Sequence, residues 1–211
     1  MRSIILAATV SAIALSASAQ AGDFYVGLSA GHEFGTVDGT ASNAAGLLPL
    51  DVNYDADGGT IGVLAGFNFI HDNLLLGIEG DIDWSDISET GDYAGGREHH
   101  TEVNYEASIR GRLGIIHGNN VVYVAAGYAI ADVDVEKSFA GLPPFFSYSV
   151  TKSGYNLGAG VEHSFDATYS GRIEYRYSDY GEDTAISVPA NSRDDISLTS
   201  HAVRLSLIMK M

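Results

Sequence analysis

Apolar and polar residues alternate along most of this chain, most plainly in residues 154–181, GYNLGAGVEHSFDATYSGRIEYRYSDYG. In the first half of that stretch Gly154, Asn156, Gly158, Gly160 and Glu162 share one parity. Tyr155, Leu157, Ala159 and Val161 share the other. In the second half Arg172, Glu174, Arg176 and Ser178 oppose Ile173, Tyr175 and Tyr177. Successive side chains of a strand point to opposite faces, so each run predicts a strand with one small or charged face and one apolar, aromatic face. A soluble sandwich hides its apolar face against a second sheet. A membrane barrel turns it outward to lipid and keeps its polar residues inside.

The same alternation predicts eight strands. The others lie at about Phe24 to Gly31, Thr60 to Phe69, Leu74 to Ser85, Val103 to Ile116, Val121 to Ala131 and Ala202 to Met211. The connections alternate in length. Residues 71–73, 117–120 and 165–168 read as tight turns, whereas 32–59, 86–102, 132–149 and 179–197 read as long loops. Short turns at one end and long loops at the other suit an eight-stranded antiparallel transmembrane β-barrel, with short periplasmic turns and four long extracellular loops. An even strand count puts both ends of the barrel domain on the periplasmic side.

Charge placement supports a polar lumen. The predicted inner faces hold Glu79, Asp81, Glu106, Arg110, Arg112, Glu162, Arg172, Glu174, Arg176, Arg204 and Lys210, while the central apolar faces carry no charge. A lone buried charge is costly, so these groups are expected to pair. Glu79, Arg110, Arg112, Glu162, Glu174, Arg176 and Arg204 form the predicted lumenal charge network. Glu174 is expected to pair with Arg110, Arg112, Arg176 or Arg204. An eight-stranded barrel is just wide enough for its own side chains, so a plugged lumen follows rather than an open channel.

The chain opens with a basic leader, Met1-Arg2-Ser3, and a largely apolar run from Ile4 to Leu15. Small-x-small sites follow, which predicts a signal peptide over 1–21 with cleavage after Ala19 or Ala21, and a barrel domain over 22–211. The apolar run is too short to span a bilayer as a helix. Removing Arg2 with the leader takes the formal charge from -16 to -17, a poor match to nucleic acid. The chain has no cysteine, which excludes a disulfide framework and a thiolate metal site.

The segment 33–57 carries Glu33, Asp38, Asp51, Asp55 and Asp57 with no Lys or Arg, and reads as an acidic exposed loop. Within it, Asp51, Asn53, Asp55, Asp57 and Gly58 resemble the start of a calcium loop, but no Glu follows at the required spacing. His99 and His100, beside Glu98 and Glu102, are the candidates for a metal or haem contact. His32 and His201 are expected near the outer rim on the lipid side, with Ser29 or Ser200 as the nucleophile a hydrolase would need. No committed nucleophile, base and orienter emerge, so no catalytic residue, metal ligand or cofactor is assigned.

Several blocks carry a family resemblance: DFYVGLSAG (23–31), GVLAGFNF (62–69), LLGIEGDIDW (75–84), SIRGRLGI (108–115), VYVAAGYAIA (122–131), GYNLGAGVEHSF (154–165) and RIEYRYSDYG (172–181). Together they resemble the outer-membrane β-barrel family that includes opacity proteins, the OmpA transmembrane domain and small proteobacterial porin-family proteins. Glu162, the pair Glu174-Tyr175 and the triplet Arg110-Gly111-Arg112 match residues typical of that family. The resemblance implies an integral outer-membrane protein with eight strands in the Gram-negative cell envelope; with no committed nucleophile and base, a non-enzyme is expected. Its implied partners are outer-membrane lipids and lipopolysaccharide, the barrel-assembly machinery during insertion, and host or cell-surface ligands through the loops. Met211 stands where the family usually ends in an aromatic residue read by that machinery. The leading functional expectation is envelope integrity and surface interaction. Its rivals are a narrow porin-like channel for small solutes, and an outer-leaflet enzyme or haem-binding surface protein.

Overall fold

Residues 22–43, 50–85, 88–93, 97–139, 146–187 and 192–211 are described by a computed structural model; the predicted signal peptide over 1–21 lies outside them. The strands are β1 (Gly22–Asn43), β2 (Leu50–His71), β3 (Leu74–Ser85), β4 (Ser88–Tyr93), β5 (Arg97–His117), β6 (Asn120–Phe139), β7 (Phe146–Ser164), β8 (Tyr169–Ser187) and β9 (Ser192–Lys210). Every pairing is antiparallel. β3 and β4 both pair with β5 and together make one stave of the wall. The pairing of β1 with β9 closes the remaining gap, so the wall is a closed barrel of eight staves.

The register fixes the geometry of closure. From Leu75, partners run Gly114, Tyr123, Gly160, Glu174, Arg204, Gly31 and Thr60, and the circuit returns to β3 at Ser85, ten residues above its start. That stagger, at ordinary strand spacings, tilts the staves about 40° from the barrel axis and gives a rise of about 2.5 Å per residue. β1, with 22 residues, therefore spans about 55 Å along the axis, roughly twice the ~25 Å apolar band of such a barrel.

This extra height changes the reading of the long connections. Most of residues 32–59, 132–149 and 179–197 continue as paired strand, and 86–102 includes β4 and the start of β5. The hairpins rise beyond the bilayer. Alternation of apolar with polar residues fades there because no lipid selects for it, which is why sequence pattern alone ends the strands too soon. The calcium-loop candidate over Asp51 to Asp57 lies in this extension, in register with β1 from Thr40 to Phe34. The side chains of Asp51, Asn53 and Asp55 lie outside the described residues.

At the periplasmic end the turns are tight. Asp72-Asn73 and Gly118-Asn119 are two-residue links, with Asp72 at φ 56 and Gly118 at φ 58. Asp tolerates the left-handed region better than most side chains, and glycine enters it freely. The third turn, 165–168, is held by Asp166, whose Oδ1 accepts from the backbone N–H of Thr168 and of Tyr169, both at 2.7 Å. These bonds to the charged form hold the Asp166 carboxyl below its usual range.

The two faces sort as alternation dictates. Leu28, Ile61, Ile109, Ile115, Val122, Leu205 and Leu207 point outward and are 55–66% exposed. Aromatic side chains gather at both edges of this apolar surface: Phe24, Phe69, Phe165 and Tyr169 below, Phe34, Trp84, Tyr155 and Tyr128 above. This is the girdle arrangement of a transmembrane barrel. Inside, two small apolar clusters fill the periplasmic end. Leu75, Val121, Tyr123 and Ala125 pack with Ile116, and Tyr25 packs with Leu64 and Ile208.

Candidate functional site

Around and above those apolar clusters the lumen is filled by charge. Glu79 sits at the centre of the lower layer and is 1% exposed. It accepts hydrogen bonds from Arg110 Nη2 at 2.6 Å, from Arg172 Nη1, and from Tyr25 Oη at 2.8 Å. Arg112 Nη1 stands 3.7 Å from it. Glu162, one step nearer the periplasm, accepts from Arg112 Nη2 at 3.2 Å and Arg172 Nη2 at 3.1 Å. These partners come from β1, β3, β5, β7 and β8, so the layer ties opposite walls together.

The next layer is held by Glu174 and Asp81. Glu174 Oε1 accepts from Arg110 Nη1 at 2.7 Å and Arg176 Nε at 3.2 Å, and its Oε2 accepts from Tyr123 Oη at 2.6 Å. Asp81 accepts from Arg176 Nη1 at 2.9 Å and Ser108 Oγ at 2.7 Å. Arg204 donates to Asp81, to Asp83 and to Ser29 Oγ. Of the four arginines weighed for Glu174, Arg110 and Arg176 reach it. Arg112 is taken by Glu162 and Tyr25, and Arg204 by the two aspartates. Arg204 is the backbone partner of Glu174 in the β8–β9 register, yet its side chain leans away across the lumen.

Three tyrosines complete the interior and were absent from the sequence-based network. Tyr25 and Tyr123 flank Arg112 and Arg172; the Arg112 guanidinium carbon lies 4.2 Å from the Tyr123 ring centroid and 5.6 Å from that of Tyr25. Such cation–π contacts strengthen when desolvated. Each ring leans over a glycine in the paired strand, Tyr25 over Gly66 and Tyr123 over Gly160. A Cβ on either glycine would collide with the phenol. The sequence signal for these residues was their parity, since Tyr25 lies between outward Phe24 and Val26, and Tyr123 between outward Val122 and Val124. Tyr180 crosses from β8 to donate to Glu106 Oε1 at 2.8 Å.

The catalytic candidates separate. Ser29 and Ser200 face the lumen and are buried. His32 and His201 face outward, because they lie at the opposite parity. His201 Nδ1 is 2.6 Å from Tyr175 Oη, and His32 Nε2 is 3.3 Å from Asp57 Oδ2. The wall itself stands between each serine and the histidines. Glu33, taken with the exposed acidic segment, is instead an inward residue and 4% exposed. The side chains of His99 and His100 lie outside the described residues; their backbones belong to β5, opposite Gly91 and Thr90 of β4.

Comparison with known proteins agrees with this architecture. The family model described as "Outer membrane protein beta-barrel domain" matches residues 4–208. The chain is 31% identical over 205 residues to a 31 kDa outer-membrane immunogenic protein of Brucella melitensis, covering 88% of this chain and 82% of that protein. It is 34% identical over 120 residues to a 22 kDa outer membrane protein of Rhizobium leguminosarum bv. viciae, covering 56% of this chain and 51% of that protein. In that second alignment and several like it, the match spans about half the length of the curated relative. Among solved structures, OprG of Pseudomonas aeruginosa superposes with a TM-score of 0.55 at 11% identity, over 91% of this chain and 97% of that one. Neisserial surface protein A superposes at 0.51 and 14% identity, over 91% of this chain and 100% of that one. Both likenesses concern the fold alone. With its alternating faces, girdles and closed register, the chain belongs to the outer membrane protein β-barrel domain family and is a protein of the bacterial outer membrane.

Proposed function

We propose that this protein is a structural and surface-display component of the outer membrane, and neither a solute channel nor an enzyme. The observation that carries the reading is the cross-lumen network. Arginines of β5, β8 and β9 reach carboxylates of β3, β7 and β8, with the apolar clusters beneath them. Side chains anchored on opposite walls resist both collapse and opening of a narrow barrel, and leave little room for a permeating solute. The rigid cylinder then carries four tall hairpins above the bilayer. The names of the Brucella relative, an immunogenic protein, and of the neisserial neighbour, a surface protein, suit display at the cell surface.

In this reading the partners are outer-membrane lipids and lipopolysaccharide around the wall, the barrel-assembly machinery during insertion, and cell-surface or host ligands at the hairpin tips. A deletion strain complemented by variants tests the division of roles. The intact protein and a form with shortened hairpin tips are both expected to restore resistance to detergent and chelator. Only the intact form is expected to restore binding of cells to a surface ligand or antibody. If neither form changes detergent resistance, and uptake of small solutes falls in the deletion strain, the structural role is wrong.

A further inference from the structure

Among the described residues the charges of the lumen do not balance evenly along its height. In the lower part Glu79, Glu162 and Glu174 meet Arg110, Arg112 and Arg172, three against three, with Lys210 Nζ as a further cation 3.9 Å from Glu162. In the upper part Asp81, Asp83, Glu33 and Glu106 face Arg176 and Arg204. Among the described residues no ion pair joins Glu33 or Glu106 to a Lys or Arg. Each is met by a hydroxyl instead, Glu33 by Ser200 and Glu106 by Tyr180. Lys152 stands higher and is engaged in a contact of its own; counting it still leaves the balance negative. Surplus charge in a confined, poorly solvated space calls for a counter-charge.

A second, independent feature points to the same place. Asn156 is 1% exposed, yet neither Oδ1 nor Nδ2 has a hydrogen-bond partner. Its register partner on β8 is Ser178, which lies between Arg176 and Tyr180. Both of those side chains cross the lumen, Arg176 to Asp81 and Tyr180 to Glu106. The Asn156 amide therefore faces the layer between two crossing side chains. Ser178 pairs in turn with Ser200, the residue that meets Glu33. The stagger of the staves brings Asn156, Asp83, Glu106 and Glu33 to within about 5 Å of one height.

We propose that this layer holds a divalent cation of the calcium class. Its ligands would be the carboxylates of Glu33 and Glu106, the Asn156 carbonyl oxygen, the hydroxyls of Ser178 and Ser200, and water. All are hard oxygen donors, the set that calcium selects. One such ion offsets the surplus negative charge and satisfies the orphaned amide oxygen. The site is internal to the barrel and distinct from the acidic hairpin segment around Asp51 and Asp55.

The test is calcium titration of the refolded full-length chain in detergent by calorimetry, together with urea unfolding in calcium and in EDTA. One ion is expected per barrel, with a higher urea midpoint in calcium. Glu33→Gln and Glu106→Gln, separately and together, are expected to weaken calcium by roughly tenfold or more. Each should also match or exceed the wild type in EDTA, because the surplus charge is gone. Asp51→Asn with Asp55→Asn should leave the lumenal ion in place. The proposal is overturned if both glutamine variants keep full calcium response, or if the wild type ignores calcium. A wild type that ignores calcium but gains stability from pH 8 to pH 5 would show that protons supply the counter-charge. Bilayer conductance, which reads the plug itself, is independent of all these outcomes.

Discussion

Glu79→Gln is expected to destabilise the folded barrel by about 3–5 kcal/mol in urea unfolding, towards the lower end where lumenal water reaches the gap. The reason is the number of groups that Glu79 serves. It accepts from Arg110, Arg172 and Tyr25, with Arg112 close by. Removing its charge leaves three arginines for two glutamates among the buried side chains of the lower lumen. Replacing Arg172 with Gln in the same chain should recover part of the loss, with a coupling of about 0.5–3 kcal/mol. The same substitution paired with a change at Asp166, in the periplasmic turn, should show simple additivity. If Glu79→Gln is neutral, or couples equally to both sites, the lower layer is not the cross-wall tie described above.

The outer face gives the second large effect. Leu28→Arg should cost about 2–4 kcal/mol, and Phe24→Arg on the same strand only about 0–1 kcal/mol. Leu28 is 65% exposed on the wall and lies between the lower aromatic edge at Phe24 and the upper one at Phe34. Its register partners Val63 and Leu207 also face outward, so an arginine there finds only lipid and aliphatic neighbours. At Phe24 the side chain reaches headgroups and water. Equal costs at the two positions, measured by reversible unfolding from lipid vesicles, would place the membrane elsewhere on the barrel.

Which face each residue occupies was legible in the sequence wherever lipid imposes a choice. Glu79, Arg110, Arg112, Glu162, Glu174, Arg176 and Arg204 all lie inside because parity places them there. Partner choice was not legible. Glu174 and Arg204 are neighbours in register, but a ten-residue stagger brings side chains from distant staves to the same height, and Arg204 goes to Asp81 and Asp83 instead. Tyr25 and Tyr123 are hard to place from sequence because an aromatic residue in a barrel strand suggests the girdle. Only the opposed Gly66 and Gly160 mark the room each ring needs inside. Glu33 reads as loop in the sequence because β1 continues past the bilayer, where nothing forces one parity to be apolar.

The pairing pattern also explains why the two serine candidates fail as nucleophiles. Ser29 donates towards Asp83 and accepts from Arg204, which commits it to the network. Ser200 is held inside with Glu33. His32 and His201 engage Asp57 and Tyr175 on the other side of the wall. A one-residue shift in register would exchange these faces, yet the pairing of β1 with β9 runs unbroken from Tyr25–Lys210 to Asn43–Ser192.

The central claim is that the lumen is a structural plug, and single-channel recording in planar bilayers tests it most directly. The refolded wild type should pass no resolvable current across the voltage range in which the membrane itself is stable. Glu79→Gln should remain silent as well, because its loss weakens the tie while Leu75, Val121, Tyr123, Tyr25, Leu64 and Ile208 still fill the periplasmic end. Stable, discrete openings of the wild type, or openings that rise sharply when Glu79 is neutralised, would show that the charges line a gated path, and the account of a closed structural barrel would be wrong.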